Sequence, residues 1–392
     1  MQAVELSGLK HPSVGKFELD DKKNNSTSLC KFFSNFTFAL IESPDLDIQK
    51  QQRIKPIDNT RGMLIIWMII AHSLTVAGID PNDPMRYLRP PGWSTTCFII
   101  LSGFTVAVAL SDPEKKRSES ASKLLMRALK IGAIAFGSNF LFKAMSAYPS
   151  NTLSTDYLLR ILTFKEPWSL SAFLVPTMFF LLASPTIIRI ATHVRPWPLL
   201  ISATAIGLCF DEWVKMEFIK GTTARNLLGT LPQPATWIGI LYFFLYGLWG
   251  FAFGNVLKRK SYSKLIWPVI VGSASLLLVV SDFQGNIREI TDNFLLPAAR
   301  FVVTMWMVLE VSRFGTFLGI ERFINTLGQS ALLIFILHRP ILQIGRYLLQ
   351  GFMPERALAL ELMSISLLLC FWIAMLRKKH RNFSTLLSAM GF

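Results

Sequence analysis

The chain has 392 residues, of which 52% are hydrophobic and 17% charged, with a mean hydropathy of +0.42. A soluble protein carries about 25% charged residues, so the composition excludes an ordinary soluble domain. The net charge of +15 does not indicate nucleic-acid binding, because Lys and Arg lie in short segments between apolar stretches and no nucleic-acid motif accompanies them.

Residues 1–55 are mostly polar and lack the pattern of a signal peptide. The apolar stretch FFSNFTFALI at 33–42 is too short to span a bilayer. We expect 1–55 to form a loosely ordered cytoplasmic tail; the alternative is that 33–42 lies on the membrane surface.

Repeated apolar stretches of about 17 to 23 residues follow, each long enough to cross about 30 Å of hydrocarbon. They predict an all-α integral membrane protein, a bundle of about ten transmembrane helices occupying 56–380, with a cytoplasmic tail at 381–392. The predicted spans are 62–80, 93–110, 128–146, 168–189, 197–213, 235–257, 264–282, 294–312, 328–349 and 355–376.

The segments between spans alternate in basic content, which predicts that both termini are cytoplasmic. The basic side carries Arg53, Lys55, Arg61, KKR at 115–117, Arg189, Arg195, KRK at 258–260, Arg313, Arg322 and RKKHR at 377–381. The segments on the other side are short, and the halves share no sequence repeat, which weakens a transporter interpretation. A multi-pass protein of a bacterial inner or plasma membrane is the expected location.

The first span carries a histidine about halfway through its length. Eleven residues at about 100° each bring His72 to within roughly 20° of Arg61 and about 16 Å deeper, and Asp58 falls within roughly 40° of the same line. A polar side chain at this depth is costly in hydrocarbon, so the pattern indicates a site. The alternative is a neutral imidazole that only bonds a neighbouring helix.

Two further spans carry candidate site residues. Ser102 and Gly103 lie in the middle of the second span, where small residues ordinarily serve helix packing. His338 and Arg339 lie mid-membrane in the ninth span beside Pro340, which frees a backbone carbonyl. These charged and polar groups predict a face that lines the interior or a wet cavity.

Other polar residues have simpler interpretations. We expect Arg346 to snorkel to the surface and Arg300 and Glu310 to pair with other charges. The four cysteines are scattered without zinc or disulfide spacing, so no metal is expected. The basic segment 115–130, which includes Arg127 and Lys130, either attracts anionic lipid or cradles a polyanionic cosubstrate.

Asp58-x-x-Arg61-Gly62 leading to His72, followed by LSGF at 101–104, resembles the acyltransferase-3 and OpgC-type membrane acyltransferases. Weaker similarities are WSL at 168–170, FFLYGLWGFAFGN at 243–255 and LGQSALLIFILHRP at 327–340. Acyltransferase-3 proteins often place an acidic residue soon after WSL, whereas this chain reads WSLSAFLVP, so it looks nearer to the glucan-modifying OpgC branch. The related heparan-α-glucosaminide acetyltransferases share the general plan and keep an amino-sugar acceptor open.

The resemblance implies an acyl-CoA-dependent O-acyltransferase that moves an acetyl or succinyl group from cytosolic acyl-CoA to a hydroxyl of a glycan or lipid-linked sugar beyond the far membrane face. Arg61, with Arg127 and Lys130, is expected to hold the nucleotide phosphates. His72 is expected to be the general base, and Ser102 or His338 to contact the oxyanion; an acyl-histidine intermediate is the other possibility.

Asp58, Gly103 and Arg339 complete the substrate-site candidates. The expected partners are the lipid bilayer, acyl-CoA and a carbohydrate acceptor, with a homo-oligomer possible. Two other classes stay open at the level of sequence. One is a carrier or flippase for a lipid-linked sugar or anion, in which His and Arg bind rather than react, and the other is a nonenzymatic sensor.

Overall fold

The computed structural model describes residues 54–80, 83–88, 95–110, 117–147, 173–220, 237–258, 269–278, 294–314 and 319–379. Residues 1–53 of the predicted N-terminal tail (1–55) and the whole predicted C-terminal tail at 381–392 lie outside these ranges. The regular secondary structure of the described residues is helical, with one isolated bridge between Gln350 and Met353. The all-α prediction is therefore confirmed for this part of the chain.

The helices, numbered in chain order, are α1 (Lys55–Val76), α2 (Thr95–Leu110), α3 (Arg117–Ala147), α4 (Leu174–Ala191), α5 (Pro196–Lys220), α6 (Trp237–Lys258), α7 (Val269–Leu278), α8 (Leu295–Phe314), α9 (Ile320–Gln329), α10 (Ala331–Leu349) and α11 (Glu355–Lys379). A 3₁₀ turn at Pro84–Leu88 follows α1.

Each predicted span overlaps at least one of these helices, and several of the helices are apolar enough for a membrane protein. Among the described residues, four helical segments are long and apolar enough to cross a bilayer: Leu174–Ala191, Ile240–Lys258, Ala331–Leu349 and Glu355–Lys379. Helices α2 and α7 are apolar but shorter. Polar side chains such as Asp58, Arg61 and His72 reduce the apolar character of α1, and the count of ten spans stays a prediction.

The predicted ninth span, 328–349, differs from the structure at its first residues. The backbone leaves the helical region at Ser330 (φ −109°, ψ 20°), so α9 ends at Gln329 and α10 begins at Ala331. Helix α9 is amphipathic and begins after Gly319, whose φ of 68° is left-handed. The residues at this point, Gly328, Gln329 and Ser330, are small or polar, and the apolar run of the predicted span begins at Ala331.

Helix α1 occupies the centre of the bundle, where it contacts α2, α8, α9, α10 and α11. Its residues Leu64, Ile65 and Ile69 are fully buried. At the crossing with α9, Gly62 lies against the carbonyl of Ile324, and a Cβ there would overlap that carbonyl. Small residues at such crossings let two backbones approach closely within a membrane, which fixes the position of the Arg61 turn.

Helix α2 packs mainly on α6 through a second set of close approaches. Gly103 lies against the carbonyl of Gly247, and Gly250 lies against the carbonyl of Ile100. Helix α4 packs on both α3 and α6. Helices α1, α2, α3, α4 and α10 thereby surround a common space, which holds the candidate site.

Candidate functional site

A cavity of about 180 Å³ opens between these five helices, beside the N-terminal half of α1. Its polar wall combines two guanidinium groups with three hydroxyls, and its apolar wall combines aliphatic side chains with three aromatic rings. The polar residues are Arg61, Ser102, Thr105, Arg127 and Thr177, and the aromatic ones are Phe98, Phe173 and Phe335. Two cations beside hydroxyls and an apolar wall fit a ligand that carries anionic groups on an apolar or amphipathic arm.

The guanidinium of Arg61 is fixed from two directions. Its Nη1 donates to Oδ1 of Asp58 at 2.8 Å, and its Nη2 donates to Oγ1 of Thr105 at 3.3 Å. The Asp58 side chain is only 6% exposed, and its Oδ2 has no hydrogen-bond partner among the described residues. This pair orients the planar cation at the cavity wall while neutralising part of its charge.

A polar ladder supports the same turn of α1 from α9 and α11. Asn325 donates to Asn59 at 2.7 Å, Gln329 donates to Asn325 at 2.6 Å, and Arg377 donates to the Gln329 carbonyl at 3.5 Å. Asn59 also donates to Glu321 at 3.4 Å. Since these bonds join three helices, they hold the Arg61 turn in register with α9.

The hydroxyl of Ser102 lines the cavity but is engaged with the backbone. It donates to the carbonyl of Phe98 at 2.9 Å, one helical turn earlier. To donate to an oxyanion, the hydroxyl has to turn away from this carbonyl. Gly103 faces α6 instead of the cavity, and the predicted substrate role of both residues stays a prediction.

The two intramembrane histidines meet. The rings of His72 and His338 have centroids 5.2 Å apart and planes inclined by 29°. His338 is 1% exposed, whereas His72 is half-buried. The sequence analysis predicts each histidine as a site candidate in its own span. The pattern of residues within α1 and α10 does not predict that the two rings are in contact.

Aromatic rings lie between the cavity and this histidine pair. Phe335 lines the cavity, and its ring centroid is 5.8 Å from that of His338. Phe173 meets Phe335 edge to face at 4.3 Å and stacks on Phe98 at 5.7 Å. The arginine-lined cavity and the histidine pair are therefore adjacent, since Phe335 lines the cavity and lies beside His338.

The remaining candidates differ in their relation to the cavity. Arg127 is exposed and lines it, whereas Lys130 is exposed and is not among the described lining residues. Nε of Arg339 is buried without a hydrogen-bond partner in the described part of the chain. Sequence reasoning missed Thr105 and Thr177; Thr105 could have been found from its i+3 position after Ser102, on the same helix face.

Residues 54–375 match the model of the acyltransferase-3 family, which is described as an acyltransferase domain. The chain belongs to the acyltransferase-3 family. The match begins just before α1 and ends within α11, so it includes the cavity and both histidines. No curated protein and no solved structure matches the chain. Family membership confirms the resemblance and supports a membrane acyltransferase.

Proposed function

We propose that this acyltransferase moves an acetyl or succinyl group from cytosolic acyl-CoA to a hydroxyl of a glycan or lipid-linked sugar on the far side of the membrane. The observation that carries the proposal is the cavity in which Arg61 and Arg127 face hydroxyls and aromatic rings. Acyl-CoA has matching chemistry, because it joins several phosphates to a long arm that ends in a thioester.

The donor half of the proposal rests on the orientation of Arg61. Its bonds to Asp58 and Thr105 hold the guanidinium plane before a ligand arrives, so less conformational entropy is lost when phosphate binds. Guanidinium groups suit phosphate because they donate two parallel hydrogen bonds. Arg127 supplies a second cation from α3, and the apolar wall accommodates the pantetheine arm.

In the chemical step, His72 is proposed as the general base. The acceptor hydroxyl loses its proton to His72 as its oxygen attacks the thioester carbonyl carbon. The new C–O bond forms, the C–S bond breaks, and the proton passes to the departing thiolate, giving the ester and free CoA. Attack by His72 itself, followed by transfer from an acyl-imidazole, is the alternative order of events.

The acceptor half is proposed from the family and from α10. The OpgC-type similarity suggests a glucan hydroxyl, reached from the face opposite to acyl-CoA. The buried Nε of Arg339, which has no partner among the described residues, is a donor for that acceptor. In this proposal the thioester passes the Phe335 ring, which lines the cavity and lies beside His338, before it reaches the histidines.

The test measures two products in membranes that contain the full-length protein. With [¹⁴C]acetyl-CoA or [¹⁴C]succinyl-CoA, we expect free CoA to appear together with labelled, membrane-associated glycan. His72→Ala should abolish both, whereas His193→Ala, at an exposed position after α4, should retain both. Movement of a lipid-linked sugar without CoA release would instead establish a carrier and reject the proposal.

A further inference from the structure

The hydrogen bond that His338 makes to the backbone shows which of its ring nitrogens faces outward without a hydrogen. Nδ1 of His338 lies 3.2 Å from the carbonyl oxygen of Ile334, one turn earlier in α10. A carbonyl oxygen only accepts hydrogen bonds, so the neutral imidazole that bonds it carries its hydrogen on Nδ1. Nε2 of His338 then carries a lone pair and no hydrogen, so in this form it cannot donate a hydrogen bond to an oxyanion.

This lone pair is buried and unused. Nε2 of His338 is inaccessible and has no hydrogen-bond partner among the described residues. Leaving a buried polar atom unpaired costs its full desolvation penalty, so a residue with 1% exposure gains from a nearby donor. The polar ring in contact with it is that of His72.

The separation of the two rings matches a hydrogen bond between them. Two imidazoles joined edge to edge by an N–H···N bond of about 2.9 Å have centroids about 5 Å apart, since each ring nitrogen lies roughly 1 Å from its centroid. The observed centroid distance is 5.2 Å. The rings are stacked, with planes inclined by 29°, and Nε2 of His338 has no partner among the described residues, so the bond forms only when the half-buried His72 ring turns.

We propose that His338 is the positioning residue of the catalytic base: its Nε2 accepts the N–H of His72 and so fixes which nitrogen of His72 faces the acceptor hydroxyl. The inference rests on the proposed function and deepens it. The arrangement follows the general logic of a base oriented by a third group. The bond also stabilises the His72 imidazolium that exists between proton uptake from the hydroxyl and proton return to the thiolate.

A first test reads the bond without measuring activity. The chain has five histidines, so ¹⁵N-histidine labelling of the full-length protein in lipid gives few signals, and the His338→Gln variant assigns those of His338. We expect one protonated and one unprotonated nitrogen, with the unprotonated signal shifting in His72→Phe, which keeps a ring but removes the N–H. A protonated Nε2, or a His338 spectrum unchanged by His72→Phe, would overturn the inference.

A second test uses the reach of two amide side chains. The Asn amide extends only to the position of Nδ1, so His338→Asn keeps the bond to Ile334 but loses the acceptor at Nε2. The Gln amide reaches Nε2 and can present its oxygen there. We expect His338→Gln to retain more of the kcat of acyl transfer than His338→Asn, with the KM for acyl-CoA unchanged in both.

The alternatives give different results. If His338 only caps Ile334 and fills space, His338→Asn will be at least as active as His338→Gln, which would contradict the positioning role. Equal and complete loss in both variants would also contradict it. Absence of acyl transfer in the wild-type protein would reject the proposed function, and the ¹⁵N spectra would still decide whether the two histidines bond.

Discussion

Replacement of Arg61 by Lys tests the donor site most directly. The guanidinium donates to Asp58 and Thr105 at the same time, at 2.8 and 3.3 Å. The orientation of its plane, and so of its other N–H groups, is therefore set before phosphate binds. An ammonium is a point charge and cannot reproduce this fork. A hydrogen bond to a charged group contributes about 1.5–3 kcal/mol, and each 1.4 kcal/mol is about tenfold in affinity. We expect Arg61→Lys to raise the KM for acyl-CoA by about 10- to 100-fold.

The assay is the initial rate of CoA release against acyl-CoA concentration, in membranes with matched amounts of inserted protein. Thr105→Val, which removes one hydroxyl at nearly constant volume, should weaken donor binding by about 1 kcal/mol, or about fivefold. Arg189→Lys is the matched control, because Arg189 is exposed near the end of α4 and does not line the cavity. An Arg61→Ala protein with wild-type acyl-CoA dependence would remove Arg61 from the donor site.

Three further predictions follow from the site, the topology and the packing. His72→Ala should lower turnover by about two to four orders of magnitude, the usual contribution of a positioned general base, while acyl-CoA still binds; a near-normal rate would refute the mechanism. Cysteine labelling should place 258–264 in the cytoplasm and 283–293 outside, and the reverse result would overturn the topology. Gly328→Ala should destabilise the protein by about 1–3 kcal/mol through overpacking, since a Cβ there would overlap the Asp58 carbonyl. Gly137→Ala, which meets open space, should leave the melting temperature unchanged or slightly higher.

The helical bundle was readable from sequence because apolar stretches of sufficient length have few alternatives to helices in a membrane. Helix ends were less readable. The break at Ser330 depends on a single non-helical residue between α9 and α10. Gly328, Gln329 and Ser330 are small or polar and do not by themselves distinguish a break from a continuous helix.

The site was readable where charge or depth made a residue costly. Polar groups are costly in hydrocarbon, so the sequence indicated Asp58, Arg61, His72 and His338 as site candidates. The structure brings them together as two pairs, Asp58 with Arg61 and His72 with His338. Thr105 did not stand out, because a threonine in an apolar span ordinarily bonds its own helix. It does so here through Leu101, while also accepting from Arg61.

The glycine crossings make the two sides of the cavity mechanically unequal. On one side, backbones touch directly, at Gly62 with Ile324 and at Gly103 with Gly247, so neither α1 nor α2 can slide without a clash between main-chain atoms. On the other side, Gly132 of α3 faces only the flexible thioether of Met178 on α4, and a thioether readily changes rotamer. Widening of the cavity for a bulkier donor should therefore come from the α3–α4 side, while α1 and α2 keep their positions.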